Sequence, residues 1–206
     1  MTHRQEKIFG WLAAALFVLQ LLLFLVSWLV TAVMPGSSVH SLLAGDGVRW
    51  FFGHFATNLA TPLLVWLLLA AFAWGALSRS GLMPMLRRLF SSGHLTFRDR
   101  YALWIVLVEA VLLVAVMLLL TAIPHAVLLS STGHLFPSSF SRSLVPVVCF
   151  GVCLMAVSFG LATGRFRGVA DVFSALSSGV AMWLPLWLLY VLAVQLWCSV
   201  SFVFFG

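Results

Sequence analysis

The sequence predicts an all-α protein that crosses the membrane about five times. Three observations carry this. Of 206 residues, 63% are hydrophobic and only 8% are charged, whereas soluble domains are about half apolar and about a quarter charged. The mean hydropathy is +1.15. The apolar residues also fall into separate runs of at least roughly 18 residues, the length needed to cross the hydrocarbon core. Hydrocarbon offers no partner to free backbone groups, so each run must be a helix. A chain of this length is read as a single transmembrane bundle covering residues 1–206.

The first run, Ile8 to Met34, follows a basic start with Arg4 and Lys7. It exceeds the about 7–15 residues of a cleaved signal core, so it reads as a retained signal anchor. The second span covers about Gly53 to Leu77, the third Tyr101 to Ile123, the fourth Leu144 to Thr163 and the fifth Leu176 to Phe205. Ser, Gly, Pro and Cys dilute the last two runs. Between spans three and four lies a Ser-rich loop, SSTGHLFPSSFSRS.

The pI near 10.3 reflects topology rather than nucleic-acid binding. Arg4 and Lys7, then Arg79, Arg87, Arg88, Arg98 and Arg100, then Arg165 and Arg167 fall on one side of a five-span arrangement. Only Arg49 and Arg142 fall on the other. Because Lys and Arg accumulate on the cytoplasmic side, the N-terminus is expected inside and the C-terminus outside. The expected location is the inner (cytoplasmic) membrane.

No Walker motif, Gly-rich dinucleotide loop or nucleophile elbow is present. Cys149 and Cys153 share a helix face and Cys198 lies in span five; small apolar packing is their expected role. His54, His125 and His134 do not share a helix at haem-ligand spacing. The expectation is no enzyme, no metal and no cofactor.

Ionisable and amide groups at membrane depth are then the candidates for function. Glu109 lies about two turns into span three. Burying it ionised is costly, so it must be protonated, paired or wet. It would either couple transport to a proton or cation, or bond to a neighbouring helix. Thr57, Asn58 and Thr61 sit in the expected first turns of span two, just before Pro62. A proline there would free the Asn58 carbonyl and offer a ligand beside the Asn amide; it would equally serve as a packing kink. Gln195, like Gln20, is a lone amide of the kind that usually bonds helix to helix. Asp46 and Arg49 are placed to form a local ion pair, and Trp50, Phe51, Phe52 and Phe55 to anchor the segment at headgroup level.

The stretch SLLAGDGVRWFFGHFATNLATPLLVWLLLAAFAWGALSRSGLMPMLRRL resembles the aminobenzoyl-glutamate transporter (AbgT) family. Leu42, Leu43, Gly47, Trp50, Asn58, Pro62, Leu63, Gly75, Ser80, Gly81 and Leu82 match its pattern. A second block, GHLFPSSFSRSLVPVVCFGVCLMAVSFGLATGRFRGVADV, resembles the family's Ser-Pro-Phe, Ile-Val-Pro and Thr-Gly segment through Ser139, Phe140, Ser143, Val145, Pro146, Gly160, Thr163, Gly164, Asp171 and Val172. Gln195 and the Phe-rich end look like the family's next helix. Family members are longer and carry two re-entrant hairpins. The first belongs between Leu89 and the turn LTFRDR and the second after Gly206, so the resemblance implies a shortened form lacking both.

The resemblance implies a transporter relative that moves an aminobenzoyl-glutamate-like or similar small organic anion, as an oligomer or with a companion chain. Gly151, Ser158, Gly160 and Ala162 on span four would permit close approach in a homodimer. The alternative is a non-transporting scaffold or dimerising membrane subunit.

Overall fold

The computed structural model describes residues 3–34, 36, 38–90, 96–122 and 139–205. All its regular elements are helices: α1 (His3–Val33), α2 (Gly45–Gly53), α3 (Phe55–Leu59), α4 (Pro62–Ser80), α5 (Leu82–Phe90), α6 (Phe97–Ala122), α7 (Ser139–Ala162) and α8 (Val169–Phe205). Five of them are long and apolar enough to cross a membrane: α1, α4, α6, α7 and α8. The expected all-α polytopic membrane protein is therefore what the chain forms. The end of the third run at Ile123, His125, His134 and most of the Ser-rich loop lie outside the described residues.

Most helices begin a few residues ahead of the sequence reading, and two starts differ most. The second span begins at Pro62 rather than near Gly53. Proline is well suited to the first turn of a helix, where its missing N–H has no intrahelical acceptor. Pro62 thus starts a helix and does not kink one. The fifth helix begins at Val169, ahead of the expected Leu176, and runs for 37 residues. At 1.5 Å per residue it is about 55 Å long, well beyond the roughly 30 Å of the hydrocarbon core.

The chain divides into two compact units, residues 1–65 with 182–206 and residues 66–181. In the first, α1 is almost wholly exposed. Its two buried residues are polar, Gln20 and Ser27, and they lie seven residues apart, so they share one face. Ser27 Oγ donates to the Phe24 carbonyl and accepts the Leu42 N–H at 3.2 Å. The segment after α1 is tied to the end of α8. His40 N–H donates to the Val203 carbonyl at 3.0 Å, and Trp50 stacks on Phe202 with ring centroids 4.3 Å apart. Phe51 meets Phe24 edge-on at 5.1 Å. The aromatic residues of α2 thus act partly as packing groups. Asp46 and Arg49 both lie in α2, but no ion pair joins them; Asp46 sits in its first turn, where a carboxylate favours the helix dipole.

In the second unit Leu82, Met85, Ala102 and Phe159 form the core, with Leu77, Leu86, Leu103, Val106 and Ala162 packed around it. α6 and α7 run antiparallel along each other: Glu109 reaches Ser158, and one turn further along α6 Leu113 fills the space beside Gly151. α7 ends at Ala162, and the turn after it passes through Gly164, whose φ of 75° suits a residue without Cβ. The Phe166 N–H returns to the Gly160 carbonyl at 3.0 Å, and its ring covers Gly160. The small residues of α7 are therefore used inside the chain. Gly151 receives Leu113, Gly160 receives Phe166, Ser158 bonds Glu109 and Ala162 joins the core.

Candidate functional site

The candidate polar side chains fall into three places, two in the first unit and one in the second. The first is the break between α3 and α4. α3 stops at Leu59, and Ala60 and Thr61 intervene before Pro62. The interruption leaves the Leu59 carbonyl without the donor four residues on, and it accepts the Thr61 N–H at 2.8 Å instead. Tyr190, 7% exposed, donates its hydroxyl proton to that carbonyl at 2.9 Å. Its one proton is thereby used, so Thr61 Oγ1 must donate to the Tyr190 oxygen, 2.5 Å away. Asn58 is half-buried, and its Nδ2 is buried with no partner. Thr57 contributes nothing to this cluster: it is exposed and bonds back to the His54 carbonyl at 2.9 Å.

The second place is the contact of α1 with the last part of α8. Gln20 Nε2 donates to Ser199 Oγ at 2.9 Å, and Ser199 is completely buried. Gln195 lies one helical turn before Ser199 and so shares its face. Gln195 is 4% exposed, and both its Oε1 and its Nε2 lack partners, as does Gln20 Oε1. Buried unsatisfied polar atoms are uncommon in folded proteins, and where they occur they often mark a function or the seat of a bound polar species.

The third place holds Glu109. Its Oε1 accepts from Ser158 Oγ at 2.5 Å, while Oε2 is buried without a partner. This is the interhelical bond expected of a polar pair in lipid, where the alternative is an unmet group in hydrocarbon.

Of the sequence candidates, then, Asn58 and Thr61 belong to one cluster, Gln195 to another in the same unit, and Glu109 to the other unit. The sequence reading missed Tyr190 and Ser199, and treated Ser158 only as a small packing residue. Ser199 had a signal in its spacing of four from Gln195. Tyr190, a phenol inside an apolar run, had only its hydroxyl. Among the described residues no group of three His, Cys, Asp or Glu is placed to hold a metal ion. The three cysteines are free.

Apolar grooves dominate the remaining surface. One of about 510 Å³ runs between α1 and α8, lined by Phe9, Ala13, Leu184, Trp187 and Leu188, with Glu6 at one edge. Another of about 610 Å³ is bounded by Phe17, Leu21, Phe24, Phe51 and Phe52, with Gln20 its one polar side chain.

These features define an α-helical multi-pass membrane protein whose polar side chains are concentrated at a few helix contacts. No protein-family description, curated protein or solved structure matches the chain.

Proposed function

We propose that the chain is a membrane transport protein related to the AbgT family, moving a small organic anion as an oligomer or together with a companion chain. The observation that carries this reading is the break between α3 and α4, with the buried Asn58 amide beside it. The break lies at the mouth of the span that begins at Pro62, and transporters place solute sites where irregular backbone is buried by protein or lines a cavity. Asn58 Nδ2 is the donor there without a partner, and a donor suits an anionic or carbonyl-bearing solute. Glu109 Oε2 is a carboxylate acceptor without a partner, the atom on which a coupling proton or cation would sit.

The test is uptake of labelled aminobenzoyl-glutamate and related aromatic anions into vesicles holding the purified chain. It is run alone and with the product of a neighbouring reading frame, under proton and sodium gradients. Uptake above empty vesicles is expected. Asn58→Ala is expected to lower it several-fold, and Glu109→Gln to remove its dependence on the gradient. If both variants fold and transport like the parent, the site assignment fails.

A second reading, a non-transporting scaffold or dimerising subunit, is favoured by a different observation. Gln20 with Ser199 and Glu109 with Ser158 each join one helix to another, and Thr61 with Tyr190 ties the turn before α4 to α8. If no solute moves under any gradient, with or without the companion, this reading replaces the first.

A further inference from the structure

We infer that the groove between α5 and α6 binds an anionic phospholipid, with Arg100 at its mouth taking the phosphate and one acyl chain lying along the apolar wall. α5 is a nine-residue helix, Leu82–Phe90. Leu82 and Met85 point into the core of the second unit, while Arg87 and Arg88 in the last turn are exposed. The same short helix sends Leu86 and Leu89 sideways. Together with Leu103, Trp104 and Leu107 of α6 they line a groove of about 350 Å³, and Arg100 is its single charged lining residue. That volume falls within the range of about 300–1,000 Å³ typical of ligand sites.

The groove is arranged as a lipid would require. Its charge lies at one end, in the first turn of α6, and its depth along the span is apolar. Trp104 is 62% exposed, one turn below Arg100, at the level where indole rings favour headgroups. Among the described residues neither Arg87, Arg88 nor Arg100 makes an ion pair. The neighbouring carboxylate, Asp99, accepts the Thr96 N–H at 3.3 Å and no arginine among the described residues. Arg79, Arg98, Arg165 and Arg167 add further cations at the helix ends of this unit, where the Arg165 guanidinium packs over Gly81. Clusters of this size beside membrane spans attract anionic headgroups. A zwitterionic lipid fits the apolar wall equally well but gains less from the guanidiniums, because its own cation offsets the phosphate charge and is repelled by them. A free anion gains from the guanidiniums and nothing from the wall.

The proposal is tested by native mass spectrometry of the detergent-purified chain, offered phosphatidylglycerol or phosphatidylcholine with identical acyl chains. Preferential retention of phosphatidylglycerol is expected. Arg100→Gln is expected to weaken that retention about fivefold, the effect of one headgroup-level charge. Leu107→Trp, which fills the groove and leaves every charge in place, is expected to weaken retention of both lipids. Arg4→Gln, in the other unit, is expected to leave retention unchanged. Equal retention of the two lipids overturns the proposal, as does parental retention by Arg100→Gln. Inorganic phosphate that displaces the lipid completely at millimolar concentration points to a free-anion site and overturns it too. Should Arg100→Gln fail to fold by circular dichroism, Leu107→Trp decides alone: parental retention of phosphatidylglycerol by that variant sinks the proposal.

Discussion

Gly179 of α8 lies directly against the backbone of α4 at Gly75. A Cβ on Gly179 would fall 2.7 Å from the Gly75 nitrogen and 2.8 Å from its Cα, and would run into the Ala71 carbonyl oxygen. The relationship is reciprocal, since a Cβ on Gly75 would meet the Ala175 carbonyl and lie 2.6 Å from the Gly179 nitrogen. Ala71 and Ala175, one turn away on each helix, are completely buried. Small residues spaced by four let two membrane helices approach backbone to backbone and gain dispersion over a long contact. Gly179→Ala is therefore expected to destabilise the protein by about 1–3 kcal/mol, the usual range for overpacking. Gly10→Ala, where a Cβ would meet nothing within 4 Å, is the control. Unfolding in mixed micelles measures both, and equal stability of the two variants would contradict the close contact.

The bond from Ser158 to Glu109 crosses from α7 to α6. In membranes such bonds average about 0.6 kcal/mol and reach about 1.7. Ser158→Ala is expected to cost an amount in that range. A double-mutant cycle with Glu109→Gln isolates the pair, and a coupling indistinguishable from zero would show that the bond contributes nothing to association.

Tyr190 holds the break before α4 by donating to Leu59 and accepting from Thr61. Tyr190→Phe keeps the ring and removes both bonds. The Leu59 carbonyl keeps the Thr61 N–H at 2.8 Å but loses its side-chain donor, at a cost of about 0.5–1.5 kcal/mol for one hydrogen bond. The expected result is faster amide exchange at residues 59–64 with little change in α6 and α7. Uniform exchange across the chain would mean that the break does not depend on Tyr190.

The charge bias predicts that the arginine-bearing helix ends face the cytoplasm. In a chain whose Cys149, Cys153 and Cys198 are replaced by Ala, a cysteine at Thr96 is expected to react with an impermeant maleimide only after the cells are opened. A cysteine at Ser38 is expected to react in intact cells. The reverse pattern would invert the topology.

Much of the architecture was decided by sequence alone. A bilayer admits only segments that satisfy their own backbone, so long apolar runs had to be helices, and their number followed from composition. Glu109, Gln20, Gln195 and Asn58 stood out for the same reason, as polar groups where polar groups are costly. Their partners were not legible. Gln20 and Ser199 are 179 residues apart, and an apolar helix exposed to lipid on most sides gives no periodic stripe to say which face meets a neighbour. The start of the second span was misread for a related reason. Residues 53–61 read as an extension of the run, but the chain leaves the helix after Leu59, where a hydroxyl from α8 donates to the broken end. Only the tertiary structure brought Tyr190 to Leu59, and only it turned the small residues of α7 inward onto Leu113 and Phe166, because close packing is settled by the side chains that arrive from distant helices.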